Sequence, residues 1–596
     1  MLAINRANKK RWLRRFRRRS REAIELGQQA DRKIESLLIR RFDRLMFVQR
    51  FVFLWILLFV LMYFCLVYQI RALSPYYQSL QPVPGGLYTE GIIGSFTNAN
   101  PLYASGTADT AVSRLVFSGL FKYDTRNMLI GDLAKDWTLD AAQTRYTVHL
   151  KRNITWHDGQ PFSADDVLFT YKTIQNVGSQ SSLYASWQGI NVTKQDNFTV
   201  NFDLPNPLSS FPYAMTNGLV PAHLLKDIPV QNLRSAAFNT NPVGSGPFIW
   251  KFAEVTGSNS ADRQQRLTLA QFSKYWAGRP KLDGFSLITF SNDQRLISAF
   301  QKKQINAMGG LESVPEGLSH DKSVEAYTTP LSSAVMAFFN NSRPNLSDVN
   351  IRKALVSGVD RLQTLKLSPH PVNLVDSPLL HSQLGYDPTA VELSYNAARA
   401  NQLLDQAGWP RGQAGQRFKN GQLLSLNLVS QDTQQYTKVS QFLQQQWGQL
   451  GIKVNVRYYN GDDLQSAVIA NHAYDILLYA ISIGVDPDVF AYWDSTQASL
   501  NSQGHLNLSE YKSGVADVAL EGARTRADPA LRLPKYKAFL GTWSQDAPAL
   551  ALYQPDFLYI TRGPIFNYAR KADNSGVDRF YNVDNWMVRQ KRQTLN

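Results

Sequence analysis

One cysteine, Cys65, occurs in the 596 residues, inside the most apolar stretch of the chain. A disulfide within one molecule is therefore excluded, and so is a zinc site built on thiolates. The eight histidines, His149, His157, His223, His320, His370, His381, His472 and His505, show no metal-ligand spacing. Gly-x-Ser-x-Gly, His-Glu-x-x-His, Gly-x-x-x-x-Gly-Lys and Gly-x-Gly-x-x-Gly are all missing. Nothing then points to hydrolysis or nucleotide use, and neither an enzyme nor a cofactor is expected. Acidic residues are scarce in the first fifty positions, 5 against 16 Lys plus Arg, so +11 of the formal +16 lies there. The remainder is close to neutral, and the concentrated basic segment suits an anionic membrane face better than nucleic acid.

What is present begins with a 20-residue run from Phe51 to Ile70, in which Gln69 is the only strongly polar member. At about 1.5 Å per residue it spans roughly 30 Å, the thickness of the hydrocarbon core. It reads as a transmembrane helix. No Ala-x-Ala site follows to make it a cleaved signal peptide, and no small residues precede Cys65 to make it a lipid attachment site. The cluster Lys9, Lys10, Arg11, Arg14, Arg15, Arg17, Arg18, Arg19 and Arg21 should remain cytoplasmic, leaving the chain after Arg71 outside. Ile34, Leu37, Leu38, Phe42 and Leu45 have helical spacing and predict an amphipathic helix on anionic lipid. Ser74 to Gly86 has the composition of a tether.

A chain of this length needs three or four structural units, and residues 421–490 organise them. Leu424, Leu426 and Leu428 alternate as a strand; Tyr436, Val439, Leu443, Trp447 and Leu450 follow at helical steps. Gly451 offers a left-handed cap, and Ile452, Val454, Val456 and Tyr458 resume the two-residue period. Strand, helix and strand joined by short turns predict a parallel crossover unit. A helix over about 462–471 then leads to a third strand, Tyr474 to Ser482, apolar enough to be buried on both faces. Ligands gather beyond the carboxyl ends of parallel strands, so the loop after Ser482, Ile483 to Asp488, is the first candidate site. Nearer the amino terminus, Tyr146 to Leu150 predicts a strand and His157-Asp158-Gly159 a turn held by the Asp side chain. Ser163 with Asp166 predicts a capping box over a helix whose buried stripe is Val167, Tyr171 and Ile174.

The string Trp156 to Val167, WHDGQPFSADDV, resembles the signature of family 5 solute-binding proteins, the oligopeptide-, dipeptide- and nickel-binding proteins of ABC importers. Further pieces fall in the family's order: Asn241 to Phe248 resembles its P-V-G-S-G-P turn, Tyr275 to Asp283 its Y-W-x-G-x-P-x-L-D element, and Asn396 to Pro410 its A-G-W helix. The glycines of that turn, Gly244 and Gly246, are read as structural, taking backbone angles that side chains forbid.

The resemblance implies an α/β, periplasmic-binding-protein-like, two-lobed fold with an extra inserted domain, here preceded by one transmembrane helix. Lobe I would comprise residues 87–108, 206–327 and 552–596, the inserted domain 109–205 and lobe II 328–551, after a basic segment 1–50, the helix 51–70 and a linker 71–86. It implies the substrate-binding component of an ABC importer, a solute that is a peptide, and a permease with its ATPase as partners beside membrane lipid. A membrane-bound sensor, or a binder of a metal complex or sugar, is the alternative. Tyr184 resembles a tyrosine that faces the peptide, with Trp187 behind it; aromatic packing between domains is the competing reading. Peptide binders carry G-W-x-x-D-Y-P-D-P after the third strand, its first Asp paired to the ligand's amino terminus. This chain keeps Asp486-Pro487-Asp488 but has Ile483 or Gly484 in place of that Asp. The expected contact set is therefore Tyr184, Trp187, Ser482, Ile483, Gly484, Asp486 and Asp488, with main-chain hydrogen bonds from the loop to an extended peptide. Either Asp486 or Asp488 has taken over the amine, or the ligand has no free amine there, because a buried ammonium without a carboxylate is costly.

Overall fold

The computed structural model describes residues 20, 24, 25, 27–33, 49–259, 262–500 and 506–594. The basic cluster from Lys9 to Arg19 with Arg21, and the amphipathic helix expected on Ile34 to Leu45, lie outside the described residues. The chain forms two compact units, residues 1–81 with 590–596 and residues 82–589.

In the first unit a helix runs from Gln49 to Tyr77 and contains a 23-residue apolar stretch, Phe51–Leu73. At about 1.5 Å per residue that is roughly 34 Å, long enough to cross a membrane. Phe53, Tyr63, Phe64 and Ile70 are exposed, as is Cys65. The expected tether is only partly one. The helix continues through Tyr77, and Gln78–Val83 forms a two-stranded sheet with Arg589–Thr594. Backbone groups that a tether leaves to water are satisfied by the last strand of the chain, a partner that local composition does not announce.

In the second unit two large sheets carry the architecture. Seven strands lie in the spatial order Val324–Pro330, Asp556–Arg562, Ala307–Gly309, Leu87–Ile93, Gly284–Phe290, Gln264–Gln271 and Phe248–Thr256. Leu87–Ile93 is parallel to both its neighbours. Six strands form the other sheet, in the order Asn373–Leu374, Ala549–Gln554, Ser333–Phe339, Ile476–Ser482, Ser425–Gln431 and Lys453–Tyr459. The chain passes between the sheets at Leu331-Ser332 and at Pro555. A four-stranded antiparallel sheet, Ala134–Leu139, Arg145–Leu150, Thr199–Asp203 and Asn191–Asp196, stands apart from both.

The crossover unit forms as its periodicity predicts. Ser425–Gln431 is parallel to Lys453–Tyr459 across the helix Gln434–Gln449, and Ile476–Ser482 is parallel to the first of them. Val439, Leu443 and Trp447 are buried, and Gly451 has φ +85°. The helix expected over 462–471 is instead one turn, Gly461–Asp463, followed by a π-helical segment, Leu464–Ile469. The capping box of Ser163 and Asp166 is present, and Val167, Tyr171 and Ile174 are fully buried.

Two of the quoted motifs hold each other. His157 Nε2 donates to the Gly246 carbonyl at 2.9 Å, while Nδ1 accepts from the Gly244 N–H at 3.2 Å. Burial pushes the His157 pKa down to about 4, although the Gly246 carbonyl pulls the other way. A second ring proton would point at an N–H. With a folded pKa near 4 and an ordinary value of 6.5, the unfolded chain binds more protons between those limits. Stability therefore rises with pH across that window and is lost as pH falls through it. Because the ring is partly exposed, we expect a contribution of about 2 kcal/mol. Denaturant midpoints at pH 7 and pH 4.5 should differ less in His157→Asn than in wild type, and an unchanged difference would assign the acid sensitivity elsewhere.

Candidate functional site

The strand Ile476–Ser482 ends beside Ser333, with which Ser482 pairs. The chain then turns sharply: the N–H groups of Ile483 and Gly484 both donate to the Ser332 carbonyl, at 2.9 and 3.0 Å. Gly484 has φ +83° with open space around its Cα, so conformation rather than crowding requires glycine there. Gln383 Nε2 donates to the Gly484 carbonyl at 2.8 Å and the Tyr492 hydroxyl to the Ser482 carbonyl at 2.7 Å. Most main-chain groups expected to meet an extended peptide are thus engaged within the chain. The Ile483 carbonyl and the N–H and carbonyl of Val485 have no backbone partner among the described residues.

Both aspartates of the loop already have partners within the chain. Asp486 makes a two-pronged ion pair with Arg532, whose nitrogens lie 2.8 and 2.7 Å from its two oxygens. Arg532 also donates to the Tyr536 hydroxyl and the Ala523 carbonyl. Burial works to lower the Arg532 pKa, but the hydrogen bonds and charge of Asp486 outweigh it and raise the guanidinium above its ordinary value. Asp488 accepts from Ser210 Oγ at 3.0 Å and pairs with Arg524 at 3.3 Å. Arg524 in turn covers the ring of Phe490, 4.1 Å from its centroid, and its carbonyl accepts from the Ser209 N–H. Asp488 and Arg524 therefore tie the loop to the segment before the helix Phe211–Ala214.

Trp187 is fully buried, its ring stacked 3.9 Å from that of Tyr171 and edge-on to Phe211. This is the aromatic-packing role. Tyr184 is half-buried at the start of the short helix Tyr184–Trp187. Its neighbours Ala185 and Ser186, with Ser210, Phe490, Glu521 and Arg524, help line an open groove of about 830 Å³. Sequence reasoning passed over Ser210, Gln383, Arg524 and Arg532. Only Arg532 left a trace: it starts the buried stripe Arg532, Tyr536, Phe539, Leu540 and Trp543, where a charge implies a buried counter-charge. No cluster of His, Cys, Asp or Glu able to hold a metal occurs among the described residues.

The family described as bacterial extracellular solute-binding proteins, family 5 Middle, matches residues 129–502. The oligopeptide-binding protein AppA of Bacillus subtilis (strain 168) is 25% identical over 523 residues, 85% of this chain and 92% of that protein. Among solved structures, NikZ from Campylobacter jejuni in complex with Ni(L-His) superposes with a TM-score of 0.71 at 23% identity, covering 84% of this chain and 99% of that one. AppA from Bacillus subtilis in complex with a nonapeptide does so with a TM-score of 0.69 at 23% identity, covering 85% and 100%. The two-sheet body, the signature string and the extent of the match converge: the chain belongs to the bacterial extracellular solute-binding proteins of family 5.

Proposed function

We propose that this protein captures peptides outside the membrane and hands them to the permease and ATPase of an ABC importer. The observation that carries the reading is the placement of the Ser482–Val485 turn. It lies at the carboxyl end of a strand that has a parallel neighbour, beside both passages between the sheets. Relatives named for oligopeptide and dipeptide binding support a peptide as the solute. We take lobe I as residues 87–108, 206–327 and 552–596, the inserted domain as 109–205 and lobe II as 328–551. Closure would pivot on Leu331-Ser332 and Pro555, and Ser210, Asp488 and Arg524 would latch the closed form. The Ile483 carbonyl and the N–H and carbonyl of Val485 are assigned to the solute, with Tyr184 at the rim; Ser482, Gly484, Asp486 and Trp187 support them. The Phe51–Leu73 helix would anchor the protein in the membrane lipid, with the amino terminus cytoplasmic.

Mass spectrometry of molecules released from the purified full chain tests the solute. Peptides of a few residues are expected to come off, whereas sugars or metal complexes alone would replace the peptide assignment with the alternative.

A further inference from the structure

A second cavity, of about 240 Å³, lies where the chain passes between the sheets at Pro555. Glu312 and Asp556 line it from the seven-stranded side; His370, Tyr436 and Tyr553 line it from the other. Asp556 is its unusual member. The side chain is only 5% exposed, yet among the described residues it accepts no hydrogen bond that would satisfy Oδ1. Its single ionic neighbour there is His370, whose Nδ1 stands 3.5 Å from Oδ2 and is itself without a hydrogen bond. Leaving a buried carboxylate oxygen without a hydrogen bond is costly, and native structures rarely tolerate it without a reason.

The wall chemistry says what would complete the site. Glu312 adds a second negative charge, and two tyrosines share the lining; a cation is attracted to an aromatic ring it can approach. A protonated amine meets every demand: it donates to Asp556 Oδ1 and to the His370 nitrogen, answers the charge, and sits against the rings. The same chain has already committed Asp486 and Asp488 to arginines. We infer that Asp556 is the carboxylate that receives the solute's ammonium group, in a pocket formed jointly by the two sheets. This rests on the peptide-capture reading for its link to the solute, but the pocket's affinity for an amine does not. Because both sides contribute walls, an amine bound there favours the arrangement in which they are together.

Calorimetry on the full chain in detergent, with wild type and Asp556→Asn, separates the two. The probes are n-butylammonium, tetra-alanine and N-acetyl-tetra-alanine. Wild type should bind n-butylammonium, and Asp556→Asn should weaken it by roughly tenfold or more, the worth of a hydrogen bond to a charged group. Tetra-alanine should bind at least tenfold more tightly than its acetylated form, and Asp556→Asn should erase that preference. His370→Gln, which keeps an acceptor, should retain most of it. Amine binding without peptide binding would overturn the peptide reading while leaving the pocket standing. Peptide binding indifferent to acetylation and to Asp556→Asn would overturn the pocket assignment and leave the function intact. A wild type blind to n-butylammonium would overturn the pocket as well.

Discussion

Exchanging Arg532 for methionine is expected to destabilise the protein by about 3–5 kcal/mol, the cost of removing one partner of a buried ion pair. Methionine keeps an unbranched apolar side chain in place of the arginine stem but loses the guanidinium, which lies 5.5 Å from the centre of the Tyr536 ring, so the loss is mainly one of charge compensation. Asp486 would remain with its side chain 7% exposed and no cation. The double change Asp486→Asn with Arg532→Met should recover much of the loss, since two neutral groups carry no unpaired charge. Thermal melts of wild type, Asp486→Asn, Arg532→Met and the double variant in one detergent give the comparison. A single Arg532→Met variant as stable as wild type would mean that Asp486 reaches water or binds a proton without its partner. The pair holds the far end of the turn that starts at Ser482; under the proposed solute site, the double variant should bind solute more weakly even where its stability returns.

Gly244→Ala should cost about 3 kcal/mol or more, at the upper end of overpacking penalties. The expectation that Gly244 and Gly246 need special backbone angles is not met, because neither has positive φ. What requires glycine is space: a Cβ on Gly244 would lie 1.9 Å from the Val116 carbonyl oxygen, and one on Gly246 2.7 Å from the Val116 carbonyl carbon. The Gly246 N–H donates to that same oxygen at 2.8 Å. Backbone meets backbone here, so no flexible side chain can yield. Gly484→Ala is the informative contrast, with positive φ in open space; it should cost only about 1 kcal/mol. Denaturant midpoints that ranked Gly484→Ala as the more damaging would reverse the argument from space.

Period and punctuation alone determine much of this chain. The alternation of Leu424, Leu426 and Leu428, the helical stripe through Trp447 and the cap at Gly451 specify the crossover unit, because each depends on contacts a few residues apart. The Ser163 and Asp166 box and the apolar run from Phe51 are legible for the same reason. The site is different. That Asp486 is spent on Arg532, Asp488 on Arg524 and Ser210, and the Ile483 and Gly484 amides on Ser332 depends on segments far apart in the chain. So does the meeting of His370 with Asp556. A carboxylate's role follows from which cation the fold brings to it, and Coulomb energy falls with distance in space and takes no account of separation along the chain. Local sequence therefore determined most strands and helices and the long apolar run; only the tertiary structure decided which charges are already answered by a partner.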